Sequence, residues 1–203
     1  MNHKAVELLL GGRVQGVGFR PFVYLLAERY KINGWVRNIL GRVEIHAEGE
    51  CAQLDAFRAA LINEAPPLSL PHIEREQTTG IAHFSDFRIL QSSHEGAAAI
   101  HVPPDQASCA ECEDELFDVT NRRDHYPFIN CTQCGPRYSI IETMPYDRSN
   151  TSMVDFPLCA RCRREYENPL DRRFHAEPNA CPECGPQLTY LQGEHKICSS
   201  DAA

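Results

Sequence analysis

Eight of the ten cysteines stand in four C-x2-C pairs: Cys109/Cys112, Cys131/Cys134, Cys159/Cys162 and Cys181/Cys184. Two residues between cysteines let both sulfurs reach one ion while nearby backbone N–H groups answer the thiolates. Two such knuckles close a tetrahedral site with no open position, which makes it structural and not catalytic. The gaps between pairs are 18, 24 and 18 residues, and C-x2-C-x18-C-x2-C falls in the zinc-ribbon range. Shifting the chain by fifty residues superposes 109–136 on 159–186 with 11 of 28 positions identical, so one unit is written twice. The duplication favours one zinc per repeat, two structural ions in all; the spacing alone leaves interleaved pairing open. Each repeat is too small for a core of its own. Metal binding therefore supplies folding free energy, on the order of 10–16 kcal/mol per site.

His125 and His175 align between the repeats, as do Arg122-Arg123 and Arg172-Arg173. Four thiolates already complete each site, so the histidines are expected to be structural or to support a ligand. The arginine pairs could bind phosphate, but exposed arginines answering local carboxylates are the plainer expectation. Cys51 has no metal-spaced neighbour and is expected to pack. Cys198 is expected to be a free thiol in a tail, and no metal role is expected of His94 or His101.

A second stretch carries different chemistry. Gly11 to Arg20, GGRVQGVGFR, holds four glycines. It lies between a strand-like run, Val6–Leu10, and a helical pattern, PFVYLLAERY, with Pro21 in its first turn. Strand, glycine loop and helix N-terminus together converge bare N–H groups on an anion, and the helix dipole adds positive potential. Arg20 could grip a phosphate by two charge-assisted hydrogen bonds. A tight turn would use the same glycines, and the loop is neither a Walker A sequence nor a dinucleotide fingerprint.

The elements that must position these residues follow in order. Helical spacing continues over Phe22–Tyr30. Gly34–Asn38 and Val43–Ala47 read as paired strands, Ala52–Leu61 as an amphipathic helix, and Ile73–Thr78 and Phe84–Leu90 as further strands. The order βαββαβ, with one extra strand-like piece, predicts an α+β, ferredoxin-like fold: one antiparallel sheet with both helices on one face. Residues 1–91 form this domain, 92–104 a linker, 105–191 the tandem cysteine domain (109–134 and 159–184), and 192–203 a tail. Short strands are expected at Arg137–Ile141 and Gln187–Leu191, after each CGP.

The chain of 203 residues carries a formal charge of −8, with −1 in residues 1–104 and −6 in 105–198. Neither half has the basic excess of a general nucleic-acid binder. The N-terminus does not read as a signal peptide, and no apolar run is long enough to cross a membrane. Paired cysteines at metal spacing point to a reducing, cytoplasmic setting.

GGRVQGVGFRPF, NGWVRN (Asn33–Asn38) and GRVEIHAEG (Gly41–Gly49) resemble the acylphosphatase family over about the first ninety residues. The resemblance implies that the backbone of Val14, Gln15, Gly16, Val17, Gly18, Phe19 and Arg20, with the Arg20 side chain, binds phosphate. It also implies that Asn38 positions the attacking water; without it, Asn38 is simply a turn residue before Gly41. With YPFINCTQCGPRYSII, MPYDRSNTSM and EYENPLDRRFHAEPNACPECGP following, residues 5–190 resemble the N-terminal part of the HypF carbamoyltransferases of hydrogenase maturation. That resemblance implies carbamoyl phosphate as substrate, a hydrolase producing carbamate and phosphate, and missing YrdC-like and carbamoyltransferase domains. It also implies HypE as the acceptor partner, no membrane partner, and zinc units that space the domains without joining the chemistry. A phosphate-binding or scaffolding module without turnover is the alternative.

Overall fold

The structure, a computed structural model, describes residues 3–94, 102–192 and 195–198. His101 lies outside the described residues, as does the Cys198 side chain.

The first half builds β1 (His3–Arg13), α1 (Phe19–Tyr30), β2 (Asn33–Ile39), β3 (Arg42–Glu50), α2 (Cys51–Asn63), β4 (Leu70–Thr79) and β5 (Phe87–Ile89). The alternation in β2 buries Gly34, Val36 and Asn38 and half-exposes the residues between, the two-residue period of a pleated strand. Val36, Leu8, Leu10, Val43 and Ile45 pack against Val23 and Leu26 of α1 and Leu54, Phe57 and Leu61 of α2. Glu50 and Gln53 close a capping box at the start of α2. Cys51 is half-buried at the first position of that helix.

The sheet has five strands in the order β4-β1-β3-β2-β5. The α+β, ferredoxin-like expectation holds, with one correction: the sheet is mixed, because β5 runs parallel to β2. The cause lies in the crossing from one edge to the other. Residues 80–86 leave β4 and pass over the face opposite the helices. Glu48 of β3, 2 % exposed, catches them there by accepting from Ala82 N (2.5 Å) and Phe84 N (3.2 Å). The chain then enters beside β2 and runs on past Asn38, whose carbonyl accepts from Ser93 N at 2.9 Å.

The second half has little regular structure: α3 (Ala110–Leu116), α4 (Ala160–Glu167) and the antiparallel pair β6 (Thr189–Gln192) with β7 (His195–Cys198). The strand expected at Arg137–Ile141 is instead a short 3-10 turn over Tyr138–Ile140. Asp105 accepts from both Arg137 N and Ser139 N, which curls the backbone there.

The two repeats hold each other. Arg123 of the first donates to Glu165 Oε2 (2.5 Å), Asn179 Oδ1 (2.9 Å) and Ala180 O (2.8 Å) of the second. Arg173 of the second donates to Glu115 Oε2 (2.5 Å) and Asn130 O (3.0 Å) of the first. The expectation of exposed arginine pairs is therefore overturned, since Arg123 and Arg173 are 2 % and 3 % exposed. They do answer carboxylates, but those of the other repeat.

Removing one partner of a buried ion pair strands the other charge. Arg123→Ala is expected to cost about 3–5 kcal/mol. Arg163→Ala removes an exposed i,i+4 contact to Glu167 and is expected to change stability by less than about 1 kcal/mol. Urea unfolding of both variants beside the parent checks the contrast.

Candidate active site and metal centres

The eight paired cysteines gather as Cys109/Cys112/Cys131/Cys134 and Cys159/Cys162/Cys181/Cys184, with all four sulfurs of each set within 4.8 Å of one another. Pairing is therefore within each repeat. Sulfur separations include 3.8 Å (Cys109–Cys131), 3.7 Å (Cys131–Cys134) and 3.4 Å (Cys112–Cys134), and 3.6–3.8 Å in the second set. A tetrahedron with metal–sulfur bonds of about 2.3 Å has edges of about 3.8 Å, so both sets fit one four-coordinate ion. Neither His125 nor His175 belongs to a set.

Each centre is supported from the other repeat. Arg122 Nη2 lies 3.2 Å from Cys162 Sγ, and Arg172 Nη2 lies 3.1 Å from Cys112 Sγ. A tetrathiolate around a divalent ion carries net negative charge, and each guanidinium offsets part of the other repeat's excess.

The glycine loop turns on Gly16 (φ 67°) and Gly18 (φ 72°), left-handed conformations that glycine adopts without strain. Gly18 is the N-cap of α1 and offers no side-chain cap. The side chains of Val14, Val17 and Phe19 are buried in the core, so only their backbone can face a ligand. The Gln15 side chain is a brace: Nε2 donates to Ile39 O and Arg42 O, and Oε1 accepts from Tyr146 N. The backbone N–H groups of Gln15 through Arg20 have no hydrogen-bond partner among the described residues.

The Cys131/Cys134 knuckle, with Pro103 before it, sits on this loop. A Cβ added at Gly16 would fall 2.7 Å from Pro103 Cγ, and one at Gly18 would fall 2.9 Å from Gln133 Nε2. Arg137, 2 % exposed, donates through Nε to Gly16 O. Its other nitrogens donate to the carbonyls of Cys131, Thr132, Cys134 and Pro136. One guanidinium thus joins a metal knuckle to the loop.

Arg20 and Asn38, the two side chains that the family resemblance singles out, share the acceptor Tyr146 O, and Arg20 has further partners that the sequence did not indicate. Arg20 Nη1 donates to Asp147 Oδ1 (2.7 Å), and Nη2 to Glu177 Oε1 (2.8 Å) and Tyr146 O (3.1 Å). Asn38 Nδ2 donates to the same Tyr146 O at 3.1 Å. That bond fixes the amide, leaving Asn38 Oδ1 buried without a partner among the described residues. Burial pulls the Arg20 pKa down, but Asp147 and Glu177 outweigh it and the net shift is up. Burial, with Asp147 adding, raises the Glu177 carboxyl against the opposing pull of Arg20. His175 lines the same recess; burial and the Arg20 charge push it down to about 4, so it is neutral at pH 7.

Sequence reasoning missed Tyr146, Asp147, Glu177 and Arg137. Their segments, MPYDRSN, HAEP and CGPR, were visible as motifs, but nothing local assigned them to a site more than a hundred residues away.

The acylphosphatase family profile matches residues 6–89, and the HypF finger profile matches 109–141 and 158–191. The chain is 41% identical over 84 residues to an acylphosphatase of Bacillus licheniformis, covering 93% of that protein and 41% of this one. It is 49% identical over 155 residues to carbamoyltransferase HypF2 of Cupriavidus necator, across 75% of this chain and 19% of that protein. A crystal structure of full-length HypF in a phosphate- and nucleotide-bound form superposes with a TM-score of 0.87 at 44% identity, over 95% of this chain and 26% of that one. The chain thus spans about a fifth of the length of its curated HypF relative. Among the described residues, no helix is long and apolar enough to cross a membrane.

Removing the metal should release the knuckle from the loop. Trypsin is expected to spare the bonds after Arg123, Arg137 and Arg173 in the loaded chain and to cut them once a strong chelator is added, read by mass spectrometry of the fragments. Combining a glycine loop with two fingers that clasp each other and cap it, the chain belongs to the acylphosphatase family through residues 6–89 and corresponds to the N-terminal, acylphosphatase-plus-finger region of the HypF carbamoyltransferases.

Proposed function

We propose that residues 14–20, Arg20 and Asn38 form a metal-independent site hydrolysing an acyl phosphate, with carbamoyl phosphate as the substrate by likeness to the carbamoyltransferase relatives. The observation that carries this reading is the row of loop N–H groups without a partner among the described residues, beside a buried Asn38 Oδ1 that has none among them either. The N–H groups and the helix start would hold the phosphate oxygens. Asn38 Oδ1 would accept from a water and aim its lone pair at phosphorus. The new bond joins water oxygen to phosphorus, and the bond from phosphorus to the acyl oxygen breaks. Carbamate leaves with that electron pair, and the water's proton passes to the products. Arg20 would offset the charge growing on the departing oxygen; positioning and charge compensation suffice without a covalent intermediate.

The two four-cysteine sets suit zinc by donor type and geometry. The ions would hold the fingers and supply no chemistry of their own. In a longer protein the carbamate would pass to further domains and finally, as carbamoyl, to HypE. A second reading, a binding or scaffolding module without turnover, is favoured by one observation: Arg20 is already engaged by Asp147 and Glu177.

The test is phosphate release from carbamoyl phosphate, corrected for spontaneous decay, by the parent, Arg20→Ala and Asn38→Ala. Metal content is read on the same samples. Turnover in the parent with a loss of about 10²–10³-fold in each variant supports hydrolysis. Metal-loaded parent without turnover above background supports the scaffold.

A further inference from the structure

A guanidinium grips phosphate in two-pronged fashion along either of two edges, Nε with Nη2 or Nη1 with Nη2. Both edges use Nη2. In Arg20 the two hydrogens of Nη2 are spent on Glu177 Oε1 and Tyr146 O, and Nη1 also holds Asp147. No two-pronged edge is free. The recess bounded by the loop, Thr132, Arg137, Tyr146 and Glu177 has a volume of about 20 Å³. Arg137 also lines it, but its nitrogens are committed to carbonyls. Arg20 is thus the one described cation there with charge to offer, and it faces two carboxylates already.

Resting on the reading that this loop takes phosphate, we propose that Asp147 and Glu177 are competing anions: an acyl phosphate engages Arg20 only by displacing them, so the finger half sets the phosphate affinity of the first domain. The two carboxylates are the affinity-determining residues, acting through Arg20. Asp147 follows Tyr146, whose carbonyl also accepts from Asn38, so the carboxylate competing for Arg20 sits beside the group that orients Asn38. Glu177 is anchored on its far oxygen by Arg148 N (3.0 Å) and Tyr166 Oη (2.9 Å). Asp147, 19 % exposed against 2 % for the Glu177 side chain, is the one that leaves first.

The experiment measures the dissociation constant of inorganic phosphate by calorimetry on the whole chain, the parent beside Asp147→Asn, Glu177→Gln and the double variant. Each neutral side chain keeps its shape and removes one competing charge. Tightening of about tenfold or more in each single variant is expected, more in the double, and Arg20→Ala added to the double should abolish it. Unchanged or weaker binding in the neutral variants would overturn the proposal, since the carboxylates would then be holding Arg20 ready for substrate. Tight binding that survives Arg20→Ala would overturn it too, because the phosphate would lie elsewhere. Metal content confirms folding; should Glu177→Gln fail to load metal, Asp147→Asn alone decides. The hydrolysis reading fails separately, through turnover, and phosphate affinity can shift as described in a chain that turns nothing over.

Discussion

Buried guanidinium groups answered across a boundary hold this molecule together. Arg20 of the first domain is answered by Tyr146, Asp147 and Glu177 of the second half. Arg123 and Arg173 are each answered by the opposite repeat. Arg137 reaches from its own knuckle to the loop of the first domain. None of these charges could be buried before its partner arrived, because an unpaired ion in the interior costs several kcal/mol. Such contacts add little net stability over an apolar core of the same volume. What they fix is register, since any other docking of the halves would strand at least one charge.

The metal centres make that network achievable. Residues 105–191 bury few large apolar side chains; the described cluster there consists chiefly of the cysteines with Tyr126, Ile129 and Met153. A bound metal would fix the spacing of Cys131 and Cys134, whose carbonyls, with that of Thr132, meet Arg137. The order of dependence runs from thiolate tetrahedron to knuckle, to guanidinium, to Gly16, and so to the shape of the loop. A structural metal without an open coordination position can thereby influence a site it never touches.

The fold was largely legible in the sequence because its signals are local. Two-residue alternation in β2, the glycines before α1 and helical spacing in α2 each act within a few residues. The paired cysteines were legible for the same reason; the duplication favoured pairing within each repeat, and the sulfur positions decide it. Arg20 stood out at the end of a glycine loop that could equally have been a tight turn, and Asn38 stood out only through the family motif, since its position alone reads as a turn residue. The partners were not legible. Tyr146 and Glu177 lie 126 and 157 residues from Arg20 along the chain, and no periodicity links them. The arginine pairs were misjudged because neighbouring carboxylates in NRRDH and LDRRFH supply enough nearby charge to look sufficient. The parallel strand β5 escaped because its direction is set by a crossing held at Glu48, a tertiary hydrogen bond with no local pattern.

The duplication also explains why the two copies have diverged where they have. The metal ligands, Glu115/Glu165 and the arginine pairs are the same in both, as the reciprocal clasp requires. The histidines sit in the same left-handed backbone conformation, at φ 52° and 51°, yet their surroundings differ. His125 is exposed beside Asp124, while His175 is enclosed by Phe174 and Tyr166 next to Arg20. Two residues further on, Pro127 of the first repeat stands where the second has Glu177. The first repeat lends the loop a carbonyl clamp through Arg137, and the second lends Arg20 a carboxylate. A symmetric clasp has thus been set asymmetrically on one site, with each repeat keeping its residues for the other and spending its differences on the first domain.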